Sequence, residues 1–271
     1  VNRPADEGQG QAGVGLFNRL VFKIKRAETP FWLSVKRIIL TIMKPGSPRI
    51  PDGTRFIFRA LYELHFTLVM LKRLAVTFFY RGPVFQGRCR SYGRNVTLAG
   101  SMPFVTGHVD VHIGDGVYIG GGVSILSGGP VERPRLVVGN RSSLGWNNLL
   151  VVNREVIIED DVFIPHDCRI SDSDGHPREA DLRVAGVAPE LKDIRPVRIC
   201  QRAWIGNGSH IMKGVTIGEG AIIGANSVVI SNIPAYALAM GNPAEVILRR
   251  FGLPSNMKKA KVPAPADPPK A

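Results

Sequence analysis

From residue 83 onward the aliphatic positions recur with a period of six. Ile199, Ile205, Ile211, Ile217, Ile223 and Val229 follow one another without a slip. A small or β-branched residue stands four places after each of the first five (Ala203, Ser209, Val215, Ala221 and Ser227), and Gly206, Gly218 and Gly224 directly follow their aliphatics. The same register runs upstream through Ile113, Ile119 and Ile125, through Val138, Leu144 and Leu150, and through Ile158, Ile164 and Ile170. Neither the helical period of 3.6 nor the strand period of 2 produces such a ladder. It fits a triangular coil with three six-residue sides. Each aliphatic points into the prism, and Gly, Asn or Asp supplies the positive φ that tight corners need. One coil cannot bury its own apolar face, so coils must stack. The pattern therefore predicts an all-β, left-handed parallel β-helix over residues 83–248, with about five to six coils.

Three interruptions break the ladder. A loop with Gly128, Gly129, Pro130 and Pro134 separates Ile125 from Val138, and two extra residues separate Leu150 from Ile158. Between Ile170 and Ile199 about 25 residues leave the ladder, defining a loop over 171–198. A solenoid gains nothing structurally from a long polar insertion, whereas long loops on rigid scaffolds often carry function. After Val229 the pattern closes at Ile233-Pro234, and Gly241–Ile247 reads as a short terminal cap with a short helix.

Residues 1–82 differ in kind. Leu16–Lys25, Phe31–Met43 and about Arg55–Tyr80 read as strongly apolar helices, with a breaker segment at Pro45, Pro48 and Pro51. Arg59 and Glu63 are four apart and share a helical face. Two readings stand for this segment: a helical subdomain packed on the end of the β-helix, or an anchor lying in the plane of an anionic membrane surface. No run reaches the ~18 uncharged apolar residues of a spanning helix. The first 13 residues are polar and Gly-rich, without the apolar core of a secretory signal. Residues 249–271 form a basic tail rich in Pro and Ala and are expected to be disordered.

The charge sharpens this division. The chain carries a formal +13, but residues 83–248 hold 15 Lys and Arg against 16 Asp and Glu. The excess sits in residues 1–82, with 14 against 5, and in 249–271, with 6 against 1. A nucleic-acid-binding domain would be basic on its recognition face, so no nucleic-acid partner is expected. Cys89, Cys168 and Cys200 are too few and too scattered for a disulfide framework. A reduced, cytoplasmic protein is expected, peripheral on the inner face of the membrane if the anchor reading holds.

Several motifs within the ladder carry a resemblance. They are Asp172-Ser173-Asp174-Gly175-His176-Pro177, Trp204-Ile205-Gly206, Gly214-Val215-Thr216-Ile217-Gly218 and the closing Gly241-Asn242-Pro243. Over about residues 110–250 the chain resembles the hexapeptide-repeat acyltransferase family, in particular the sugar O-acetyltransferases of the galactoside and maltose type. Its helical N-terminal segment is more like that of envelope-polysaccharide members. The resemblance implies acetyl-CoA as donor, a carbohydrate or glycolipid hydroxyl as acceptor, no metal, and a homotrimer with sites between neighbouring prisms.

The chemistry of the loop agrees with that implication. Moving an acetyl group from a thioester to a hydroxyl needs a base near neutral pH, and imidazole titrates there. His176 on an ejected loop reaches outward, and Asp172 or Asp174 is expected to orient its ring. A rival base is His166, whose His166-Asp167-Cys168 resembles the base segment of carrier-protein-dependent acyltransferases. By the resemblance, Asn147 stands near the reacting groups, although an Asn at a coil corner is an equal reading. The backbone N–H near Asn207 aligns with the oxyanion donor. The coenzyme groove is expected along Trp204, Gly206, Asn207, Gly224, Ala225, Ile230 and Ser231. The sugar acetyltransferases place Lys or Arg where this chain has Ser231 and Glu245, so Arg249 or Arg250 is the expected phosphate contact. His65, His108, His112 and His210 do not reproduce the three-His spacing of the β-helical carbonic anhydrases, and no metal site is expected. Two alternatives remain: a longer acyl donor on acyl carrier protein, and a non-enzymatic β-helical scaffold.

Overall fold

The six-residue period closes into three parallel sheets that form the faces of a prism, a left-handed parallel β-helix. The computed structural model describes residues 16–43 and 51–251. Pro45, Pro48 and the tail expectation for 252–271 lie outside the described residues. The chain divides into two units, 1–65 and 66–271, and helix α3 (Arg55–Val76) crosses from one to the other.

In the first unit α1 (Leu16–Arg26) and α2 (Pro30–Met43) are joined by a short turn at Ala27, whose φ is 50°. Pro30 opens α2, where a missing N–H costs nothing. Thr29 Oγ1 accepts the Trp32 N–H at 3.4 Å, and Lys36 Nζ donates to the Lys25 carbonyl at 2.9 Å.

The second unit holds the prism. Its first face stacks Ser91–Tyr92, Asp110–Ile113, Arg135–Val138, Glu155–Ile158, Val197–Ile199 and Thr216–Ile217. The second face begins with Thr97–Leu98 and continues through Tyr118–Ile119, Ser143–Leu144, Phe163–Ile164, Trp204–Ile205 and Ile222–Ile223. The third runs from Phe104–Val105 through Ser124–Leu126, Leu149–Val151, Arg169–Ser171 and His210–Ile211 to Val228–Val229. Each face thus has six coils' worth of strands, and the ladder aliphatics fill the axis: Ile158, Ile164, Ile199 and Ile205 are fully buried.

Away from the three interruptions, the position four places after each aliphatic is buried at a corner, and polar residues there close the backbone hydrogen bonding. Ser142 Oγ donates to the Glu159 carbonyl at 2.6 Å and accepts the Val162 N–H at 3.0 Å. Asn148 accepts the Cys168 N–H at 2.8 Å and donates to the Pro165 carbonyl at 2.7 Å. Left-handed residues stack in columns at the corners, as in Asn95, Gly116, Arg141, Asp161, Arg202 and Gly220 between the first and second faces.

Both ends of the prism differ from the sequence expectation. Helix continues past residue 82: a π-helical turn, Thr77–Arg81, leads into α4 (Gly82–Arg88), and the first coil strand starts at Ser91. Phe85 on α4 plugs the open end, buried and edge-on to Tyr92 at 6.1 Å between centroids. Arg88 donates to the carbonyls of Gly107 and Val109. Phe85 belongs to the prism's core although its backbone is helical. At the other end the expected short helix is instead an antiparallel hairpin, Leu238–Gly241 with Ala244–Leu248, turning through Asn242–Pro243. The hairpin pairs the last strand of the second face, which would otherwise present an open edge.

Candidate active site

All three interruptions of the ladder leave the prism at one edge, between the third and first faces, after Leu126, Val151 and Ser171. They are tied to one another. Asn153 Oδ1 accepts the N–H groups of Gly128 and Gly129, both at 3.0 Å. The Asp172 carboxylate, with 0% exposure, accepts the N–H groups of Asn153, Arg154 and Glu155 at 2.6 to 3.0 Å. Its carbonyl in turn accepts the Arg195 N–H at the far end of the long loop, 2.9 Å away. Burial pushes the Asp172 carboxyl above the ordinary carboxylate range, and the three N–H donors pull it back.

The oxygens of Asp172, one of the two carboxylates expected near the His176 ring, are thus occupied by backbone donors inside the fold. Asp174 is committed elsewhere as well. Its Oδ2 lies 2.5 Å from Nζ of Lys213, a lysine whose side chain is only 6% exposed, one coil further along the same edge. Asp174, the other carboxylate expected near the imidazole, is thus paired through Oδ2 with an ammonium. Sequence reasoning gave Lys213 no role. A signal was present, since residues 83–248 contain only Lys192 and Lys213.

His176 itself is exposed, and its backbone is held. Gly175 takes φ +82° and donates to Ser173 Oγ at 3.0 Å, Ser171 Oγ donates to the Ser173 carbonyl, and the Arg183 guanidinium reaches the Pro177 carbonyl at 3.3 Å. Pro177 is buried behind it. A short helix, α5 (Ala180–Val184), and a 3₁₀ turn at Leu191–Asp193 complete the loop. Ile230 and Ser231 lie exposed on this same edge in the last coil.

The remaining candidates occupy the edge between the second and third faces, or the second face itself. Asn147 has φ 57°, which makes it a corner residue, and its Nδ2 donates to Asp167 Oδ1 at 3.2 Å. His166 stands one coil on, where its Nδ1 accepts the Trp146 N–H at 3.0 Å; its other nitrogen, Nε2, carries the proton when the ring is neutral. Gly206 and Gly224 follow at the same edge, and the close stacking demands glycine: a Cβ on Gly206 would lie 2.4 Å from the Ala225 nitrogen. Asn207 and Ala225 are exposed, and the Asn207 N–H has no backbone partner among the described residues. Trp204 is 50% exposed on the second face, in register with Phe163 at 51% and with Ile222. Arg249 is exposed beyond the terminal hairpin.

One chain therefore does not assemble the expected site. The loop with His176, and Ile230 and Ser231, are on one edge. Asn147, Gly206, Asn207, Gly224 and Ala225 are on another, beside Trp204.

Residues 196–231 match the family model described as "Bacterial transferase hexapeptide (six repeats)", the stretch in which the ladder is unbroken. The chain is 37% identical over 112 residues to "Putative acetyltransferase YJL218W" of Saccharomyces cerevisiae, covering 41% of this chain and 55% of that protein. It is 30% identical over 162 residues to "Probable acetyltransferase Rv3034c" of Mycobacterium tuberculosis, covering 55% and 50%. The chain spans about half the length of these curated relatives. Among solved structures it is similar to the hexapeptide-repeat acetyltransferase VCA0836 of Vibrio cholerae complexed with acetyl coenzyme A. That match has 21% identity, a TM-score of 0.42, and coverage of 62% of this chain and 75% of that one.

Proposed function

We propose that this chain, a protein of the hexapeptide-repeat transferase type, is an O-acetyltransferase that moves acetyl from acetyl-CoA to a hydroxyl of a carbohydrate or glycolipid, and that it works as a homotrimer. The observation that carries the reading is the division of the site between two prism edges. In a ring of like chains each interface is heterologous, so the loop edge of one protomer meets a different edge of the next. The second–third edge is the natural counterpart, because it holds the other half of the site.

In this reading His176 takes the proton of the acceptor hydroxyl as its oxygen attacks the thioester carbon. The carbon–sulfur bond then breaks, and the imidazolium returns the proton to the departing thiolate, releasing coenzyme A as a thiol. The rigid, unpartnered N–H of Asn207 suits the negative charge that develops on the carbonyl oxygen. Trp204 and the corner backbone of Gly206, Gly224 and Ala225 line the donor's path, and Arg249 meets its phosphates. Lys213 holds Asp174 and thereby fixes the loop two residues from the base. Helices with exposed apolar side chains and basic residues support peripheral association with a membrane surface. Among the described residues no helix is long and apolar enough to cross one.

Thiol release from acetyl-CoA, assayed with a panel of saccharide and glycolipid acceptors, tests the assignment. His176→Ala should lower turnover about 10²–10⁴-fold while His166→Ala stays near the parent. Near-full turnover in His176→Ala with His166→Ala inactive would reverse the roles. Turnover from an acyl carrier protein thioester but not from acetyl-CoA would move the donor assignment. Failure of the trimer to bind coenzyme A at millimolar concentration would favour a scaffold.

A further inference from the structure

A cleft of about 550 Å³ lies in the second unit, between the C-terminal half of α3 and the second face of the first coils. Small-molecule sites run roughly 300–1,000 Å³, so the size is that of a binding cavity. Met70, Leu74 and Thr77 form its helical wall, and Tyr118 and Trp146 form the opposite side. Its floor is built rather than incidental. The Trp146 ring lies on the corner glycines, where a Cβ at Gly121 would stand 2.6 Å from it and one at Gly100 2.8 Å. Leu74 is 62% exposed, and Met70, Tyr118 and Trp146 are also open to water, a grouping of apolar surface that favours an apolar occupant.

Charge narrows the occupant. Arg73 is exposed and is the one charged side chain in the lining. The sequence around it is uniformly positive: residues 64–109 contain Lys72, Arg73, Arg81, Arg88, Arg90 and Arg94 and no Asp or Glu. Of these, Arg81 and Arg88 donate to backbone carbonyls and Arg94 pairs with Asp115, so the cleft is an apolar slot with one exposed guanidinium in its lining, which matches an amphiphile with a hydrocarbon chain and an anionic head. The floor also connects to the candidate site. The backbone N–H of Trp146 holds His166 Nδ1, and Asn147 follows directly in the chain.

We propose that this cleft takes the hydrocarbon chain of an anionic, lipid-borne acceptor, with its phosphate at Arg73 and its hydroxyl-bearing portion delivered toward the Asn147 edge. The role as acceptor rests on the acetyltransferase reading, whereas binding of the chain does not. Titration calorimetry of the full chain with dodecyl phosphate and octyl phosphate, kept below aggregation, tests the proposal. One saturable site per chain is expected. Affinity should rise by up to about fourfold for each methylene that enters the cleft. Arg73→Ala should weaken dodecyl phosphate about two- to fivefold. Leu74→Asp should weaken it at least tenfold, while Leu71→Asp, on the same exposed helix but outside the lining, leaves it unchanged. Equal losses in Leu71→Asp and Leu74→Asp, or no saturable binding to the parent, would overturn the site. A change of oligomer mass in Leu74→Asp would also overturn it, because a second copy would then be what covers the cleft. Coenzyme A titrated in parallel separates the two readings: alkyl phosphate bound without coenzyme A supports the cleft and overturns the acetyltransferase.

Discussion

The edge between the second and third faces and the edge between the third and first faces are built from the same repeat, yet they solve different problems. The former is a column of corners in step: Gly122, Asn147, Asp167, Gly208 and Asn226 all take positive φ, one per coil. Backbone packs on backbone there, and side chains such as Asn147 and Asp167 reach only the next coil. The latter gives up that regularity at three successive coils and replaces it with side-chain ties, from Asn153 to the first loop, Asp172 to the second, and Lys213 to Asp174 on the third. A rigid edge presents fixed backbone donors, and a loop edge presents a side chain at reach. The proposed site joins the two, and each edge supplies what the other lacks.

The contrast is open to direct attack. The largest effect is expected at Asp172. Its removal in Asp172→Ala strands the buried N–H of Asn153 and the part-buried N–H groups of Arg154 and Glu155; a buried unsatisfied group costs about 1–3 kcal/mol, so the loss should reach about 3 kcal/mol by urea denaturation. Residues 172–196 should also become the first site of limited proteolysis. A loss under about 1 kcal/mol with the loop still protected would show that the edge is held by something else. Next in size is a paired glycine test. Gly206→Ala forces a Cβ into the Ala225 backbone and should cost about 1–3 kcal/mol. Gly128→Ala on the loop edge meets nothing within 4 Å, at a residue without positive φ, and should stay within about 0.5 kcal/mol. Equal effects would erase the distinction between the edges.

The smallest change in stability is expected at Lys213. Removing one partner of an ion pair is costly when it leaves a buried charge, but the charge left by Lys213→Met is Asp174 at 40% exposure, so the loss should be about 1 kcal/mol or less. Asp174 faces partial solvent and tolerates the loss. What should change is the loop: faster amide exchange across 173–178, and a fall in kcat larger than any rise in KM if His176 is the base. A variant with parental exchange and parental kcat would remove Lys213 from any role in positioning.

Much of this architecture was legible beforehand. A six-residue aliphatic period has one economical solution in three dimensions, and the corner glycines and asparagines reinforce it. The three interruptions were visible for the same reason, as slips in a ladder that otherwise never slips. What they share was not visible, because their common edge appears only when strands are assigned to faces. Asp172 and Asp174 look equivalent in the motif, and only burial distinguishes a carboxylate that staples backbone from one that meets Lys213. The boundary at residue 83 fell within helix because the hexad ladder itself is first legible only at Ile113.

By itself, then, the sequence determined the prism and the places where it is interrupted, since stacking energy and positive φ are local and repeat with every coil. The tertiary structure decided how the chemistry is distributed. Side chains far apart in the chain, such as Asp174 and Lys213, meet only because the coil brings each edge past itself. Residues as close as Gly206 and His210 are parted because the chain turns a corner between them.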